Sequence, residues 1–135
     1  ASVTNNASAS FPVGSTTVTW TVTDVNGRTA TATQVVTVTD NQDPTITAPT
    51  AVNVNADNGS CAATNVSLGT PATGDNCGVA SVTNNASASF PVGSTTVTWT
   101  VTDVNGRTAT ATQVVTVTDN QNPVISNTPS NISVY

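Results

Sequence analysis

Residues 1–42 recur letter for letter as residues 80–121, an offset of 79 positions. An internal repeat has to be recognised before any fold is assigned, because it says how often one structure is built. A period of 79 is too long for a solenoid turn and suits a small domain. The identity stops where Asp43 gives way to Asn122; Pro44 returns as Pro123, and the copies then diverge. The expected division is residues 1–42 as the C-terminal part of one repeat, 43–121 as one complete repeat, and 122–135 as the N-terminal start of the next. Shifted back by one period, Cys77 falls before Ala1, so the chain reads as a segment of a tandem array.

Composition narrows the chemistry. All seven acids are Asp, both bases are Arg (Arg28 and Arg107), and there is no Glu, Lys or His. Without imidazole or amine there is no Ser–His or Cys–His pair and no Schiff-base lysine, so no catalytic activity is expected. Two Cys without His cannot close a zinc tetrahedron. Two Arg against a net charge of -5 cannot neutralise a run of phosphates, which excludes nucleic acid as a partner. No apolar run approaches the roughly 20 residues that span a bilayer, so no membrane insertion is expected in this segment.

Thr dominates and alternates with Val and Ala, which are residues for a pleated, half-buried surface. No window shows helical periodicity. In Gly93–Asp103 the alternation predicts Val97, Trp99 and Val101 inward, with Thr96, Thr98, Thr100 and Thr102 outward. Asp103-Val104-Asn105-Gly106 is a hairpin signal, and the return strand puts Ala109, Ala111, Val115 and Val117 on one face. Upstream, Thr45–Thr47 and Val52–Val54 read as short edge strands, Val79–Asn85 as another, and 71–78 as loop. The stretch from Cys61 reads as a strand with Ala62, Thr64, Val66 and Leu68 on one face. About seven short strands with regular turns point to tandem immunoglobulin-like β-sandwich modules, an all-β fold. So small a sandwich calls for a staple, and a disulfide between Cys61 and Cys77 would contribute about 3 kcal/mol. The alternative is two free thiols. Paired cysteines in a Lys-free repeat suit an oxidising, extracellular setting.

The run Phe90-Pro91, Gly93, Thr95 or Thr96, Val97, Trp99, Thr102-Asp103, Asn105-Gly106 and Val115 to Asp119 resembles the signature of the hyalin-repeat (HYR) domain. Phe11 to Asp40 matches it identically. The departures are Asn before the glycine, Arg after it, and no cysteine in the last strand. The pair "GSCAA" and "GDNCG" resembles the two-cysteine variant of large Bacteroidota surface proteins, gliding-type adhesins included. The resemblance implies an extracellular, cell-surface, bacterial adhesion module in tandem array, without catalysis.

Trp20, Trp99, Phe11 and Phe90 are expected to be core aromatics; a sugar-stacking platform would need them exposed. Asp40 and Asp43 lie at one junction between repeats, Asp119 at the next, and Asp75 and Asp103 in turns. Two readings stay open for them. They cap turns through their side-chain oxygens, or they hold calcium at the junctions. No other cofactor is implied. The N-x-S triplets at Asn6, Asn58, Asn65, Asn85 and Asn131 occur in so Asn- and Ser-rich a chain by chance. The expected function is a structural segment of an extended extracellular adhesin or filament, a stalk whose partners are neighbouring repeats. Lateral self-assembly into a filament, a surface polysaccharide and a cell-surface receptor are further partners it allows. The rival reading is a carbohydrate- or ligand-binding module, or an accessory domain of a secreted enzyme; Tyr135 is the one aromatic not assigned to a core.

Overall fold

The computed structural model describes residues 1–134, so Tyr135 lies outside the described residues. The described residues are all-β, with eleven strands. Ser2–Asn5 (β1), Gly14–Thr23 (β2) and Thr29–Val38 (β3) form a three-stranded antiparallel sheet. The remaining strands build a β-sandwich: Thr45–Thr47 (β4), Val52–Asn55 (β5), Ala62–Thr64 (β6), Ala72–Gly74 (β7), Val79–Asn84 (β8), Ser89–Pro91 (β9), Gly93–Asp103 (β10) and Thr108–Thr118 (β11). One layer is the four-stranded sheet β5-β11-β10-β8; the other consists of the pairs β4-β7 and β6-β9. β5 joins β11 in parallel, Val52 opposite Val115, because the chain leaves β4 at Pro49 and crosses to the other layer.

Between the layers, Val97 and Trp99 of β10 and Val115 and Val117 of β11 meet Ala63 of β6 and Phe90 of β9. The alternation along β10 is as expected: Val97, Trp99 and Val101 are buried, and the intervening threonines are exposed or half-buried. The hairpin is also as expected, with Gly106 at φ 89 closing a type I turn whose last position takes the left-handed conformation.

Two expectations change. The strand from Cys61 ends at Thr64, since Asn65 adopts a positive φ of 53, and Ala63 rather than Ala62 or Thr64 faces the core. That left-handed residue resets the pleat, so Val66 and Leu68 still pack inward without belonging to a strand. In addition, residues 72–74, read as loop, pair with β4 as β7.

Identical sequence in two settings separates local from tertiary structure. β2–β3 has the register of β10–β11, Trp20 opposite Ala32 as Trp99 is opposite Ala111. Each indole donates to the glutamine of its return strand at 3.0 Å, Trp20 to Gln34 and Trp99 to Gln113. Yet Trp99 is 7% exposed and Trp20 40%. Phe90 is buried and Phe11 only half-buried. The expectation that Trp20 and Phe11 are core fails here, because no counterpart of β4–β7 or β6–β9 faces β2–β3 among the described residues. The hairpin is written locally; the core needs both layers.

Candidate functional site: the junction between repeats

Three segments meet at one pole of the sandwich. These are the residues after β3, the loop between β7 and β8, and the β10–β11 hairpin. Asp103, 1% exposed, starts the hairpin, and its Oδ1 accepts the Asn105 and Arg107 backbone N–H groups, both at 2.8 Å. In the β7–β8 loop, Asp75 Oδ2 accepts the N–H of Cys77 at 2.7 Å and of Gly78 at 2.9 Å. These are Asx turns, the first of the two readings. Asp40, 8% exposed, then ties the connecting segment to this pole. Its Oδ1 accepts the Gln42 N–H at 3.1 Å and its Oδ2 accepts Asn105 Nδ2 at 2.8 Å. Arg107 Nε donates to Asp43 at 2.8 Å; with both side chains open to water this pair contributes little. Pro44, the junction proline, is buried.

Of the candidate acids, Asp40 and Asp75 come together: their carboxylates and the Cys77 sulfur lie within 4.8 Å of one another. Asp103 acts on the same thiol, and Asp43 lies beside them in its ion pair. Asp119 does not join them; it accepts the Gln121 N–H at 2.9 Å at the opposite pole. Among the described residues, Asp75 Oδ1 and Asp103 Oδ2 are buried without a hydrogen-bond partner. Each turn therefore uses one carboxylate oxygen and leaves the other free.

Sequence reasoning passed over Asn105 and Arg107 as turn residues, although they connect the hairpin to the junction. It also passed over Gln113, which is 2% exposed. Its Nε2 donates to the Thr50 carbonyl at 2.8 Å and the Leu68 carbonyl at 2.9 Å, both in irregular connections. The available signal was a polar residue on the inward register between Ala111 and Val115.

The expected Cys61–Cys77 disulfide is not formed; both thiols are free. The two lie at opposite poles. Cys61 accepts the N–H of Val92, just before β10, and Gly78, next to Cys77, accepts that of Val104, just after it. Twelve extended residues at about 3.3 Å each separate those points by roughly 40 Å. A disulfide tolerates a Cα separation of only about 7 Å. The short loop in sequence is thus a long distance in the fold.

A model of the HYR domain matches residues 39–117, more than half of the chain. The chain belongs to the HYR domain family. No individual curated protein matches it. HYR domains are adhesion-type modules, typically extracellular. No helix of the described residues is long and apolar enough to cross a membrane. The matched span starts at Thr39, so the junction acids Asp40 and Asp43 fall inside the HYR unit together with Asp75, Cys77 and Asp103.

A groove of about 240 Å³ lies elsewhere, beside Trp20, Val3 and Val22 on the β1–β3 sheet. Among the described residues it is the place where an aromatic is offered to solvent as a sugar platform would require. The complete HYR unit covers the same face, leaving Trp99 at 7% and Val101 at 0% exposure. The groove is an uncovered core rather than a built site.

At the junction, the Asp40 carboxyl is held below its ordinary pKa, first by the Gln42 N–H and then by the side chains of Cys77, Asn105 and Asn76, against the opposing effect of burial. A depressed folded pKa stabilises the junction above the unfolded carboxyl value, and this contribution is lost as pH falls through the folded value. Thermal melting of the chain is accordingly expected to be steady near neutrality and to weaken in acid below about pH 4. Asp40→Asn should flatten part of that fall; an unchanged acid profile contradicts this role.

Proposed function

We propose that this HYR chain is a segment of an extended, non-catalytic stalk on a bacterial cell surface, built from units in series and acting as a spacer for adhesion. The observation that carries the reading is the hydrogen bond from Asn105 to Asp40. Through it the hairpin of the complete unit holds that unit's own entry segment, two residues after β3 of the preceding copy ends and next to a buried proline. A short linker anchored in this way favours a rod over loose beads. Near-identical copies suit a property that grows with copy number, such as reach or avidity, more than a site peculiar to one unit. The rival binding module is tested by screening the 135-residue chain on an array of bacterial and host polysaccharides. The spacer reading expects no saturable binding; binding abolished by Trp20→Ala would favour the rival.

A second reading, calcium at the junction, is favoured by the partnerless oxygen of Asp75 beside Asp40. Hard oxygen donors of this kind suit calcium. Where the ion binds, Asp40 and Asp75 would hold it. Titration calorimetry with calcium chloride is expected to give one site per complete unit, lost in Asp75→Asn. No heat above dilution would leave these acids as turn formers alone.

A further inference from the structure

The two cysteines sit at opposite poles of the complete unit, and in a tandem array each pole faces a neighbour. Cys77 stands at the pole that receives the preceding unit: its sulfur lies within 4.8 Å of the Asp40 carboxylate. The residue one period after Asp40 is Asp119. The Cys77 counterpart of the following unit therefore comes to rest beside Asp119.

Cys61 is already near that place. Its carbonyl accepts the Val92 N–H at 3.0 Å, and the next residue, Gly93, pairs with Val117, two positions before Asp119. The turn leading into Cys61 is bound to the same junction, since Gly59 N–H donates to Gln121 Oε1 at 2.8 Å and Gln121 Nε2 to the Asp57 carbonyl at 2.9 Å. Two strand spacings of about 4.8 Å and a two-residue offset of about 6.6 Å put Cys61 within about 12 Å of Asp119. Cys61 is also exposed, free to turn toward a partner.

We propose that Cys61 of each unit forms a disulfide with the Cys77 counterpart of the unit that follows, so that the array is stapled across its junctions rather than within its modules. The inference rests on units following one another in tandem, not on what the stalk binds. An external disulfide such as oxidised glutathione is the oxidant. Two cysteine S–H bonds and the oxidant's S–S bond break; one inter-unit S–S bond and two thiol S–H bonds form. The cysteines give up two electrons, and the external disulfide takes them up. Exposed Cys61 reacts first as a mixed disulfide, because burial and the Asp40, Asp75 and Asp103 carboxylates around Cys77 push that thiol up. The neighbouring cysteine then displaces the small thiol.

The test uses residues 1–42 followed by two successive copies of residues 43–121, retaining only Cys61 of the first copy and Cys77 of the second, with serine at the other two positions. The 135-residue chain, with both cysteines in one unit, is the control. Each is oxidised in dilute solution with glutathione disulfide and weighed intact. The expected result is that the two-unit chain loses two hydrogens and has no alkylatable thiol, while the control forms no internal bridge. Two glutathione adducts on the two-unit chain, or a bridge within the control, overturns the proposal. Scattering from the same oxidised chain separates this from the stalk reading. A bridged but sharply bent chain removes the stiff stalk alone, and a straight chain with free thiols removes the bridge alone.

Discussion

Trp99→Ala is expected to lower the stability of the complete unit by about 3–5 kcal/mol, whereas Trp20→Ala, the same change in the same ten-residue phrase, should cost a small fraction of that. The two side chains share register, neighbours along the strand and an indole hydrogen bond to glutamine at 3.0 Å. What differs is the second layer. Trp99 packs in the cluster with Phe90, Ala63 and Val115, and its removal leaves a cavity there; Trp20, 40% exposed, has nothing packed over it. Urea unfolding of the two single variants measures the difference. The surviving tryptophan of each also reports its own setting, with blue-shifted emission from Trp99 and red-shifted emission from Trp20. Equal losses, or equal emission maxima, would contradict the assignment of the core to the complete unit.

Gln113→Leu should also be costly, at about 2–3 kcal/mol, although it replaces a polar residue with an apolar one of similar size. Gln113 pairs one buried group, the Trp99 indole, and two part-buried ones, the carbonyls of Thr50 and Leu68. Each buried group left unpaired costs about 1–3 kcal/mol. Gln113→Glu sharpens the test. It keeps an acceptor for the indole but directs a carboxylate at two carbonyls in place of an amide donor. Burial facing two carbonyls, with only the indole as donor, raises the carboxyl pKa, so this variant should be least stable near neutrality and recover as pH falls through the raised value. Gln34→Leu, in the uncovered hairpin, is the control and should change little. A tolerated Gln113→Leu would mean that the connections between β4 and β5 and between β6 and β7 do not depend on this side chain.

Much of the fold was legible because period-2 alternation and an Asn-Gly hairpin are local codes. The proof is that β2–β3 forms the same register as β10–β11 without a second layer. Short elements were harder. β7 has only three residues and no alternation to reveal it, and its strand character comes from pairing with β4 across the unit. Asn65 interrupted a pattern that otherwise read straight through, because one left-handed residue resets which side chains face inward. The junction was half legible. Asp40 and Asp43 mark it in the sequence, but Asn105 reaches Asp40 across 65 positions, and no spacing rule points there. The cysteines show the same limit more sharply. Sixteen positions apart in sequence, they are the two ends of β10 apart in space, so proximity along the chain pointed to the wrong partner.

On the proposed reading, consecutive units hold a fixed angle because the hairpin of the HYR unit grips its own entry segment directly after the last strand of the copy before it. Small-angle X-ray scattering on chains of two, three and four complete units tests it most directly, with calcium and with a chelator. A stiff array gives a maximum dimension that grows linearly with unit number, by about 40 Å per unit from the length of β10 at about 3.3 Å per residue, and Asn105→Ala chains that are measurably more compact. A linear rod that collapses on chelation would assign the stiffness to an ion held by Asp40 and Asp75. A dimension growing only as the square root of unit number under both conditions, unaffected by Asn105→Ala, would contradict the claim.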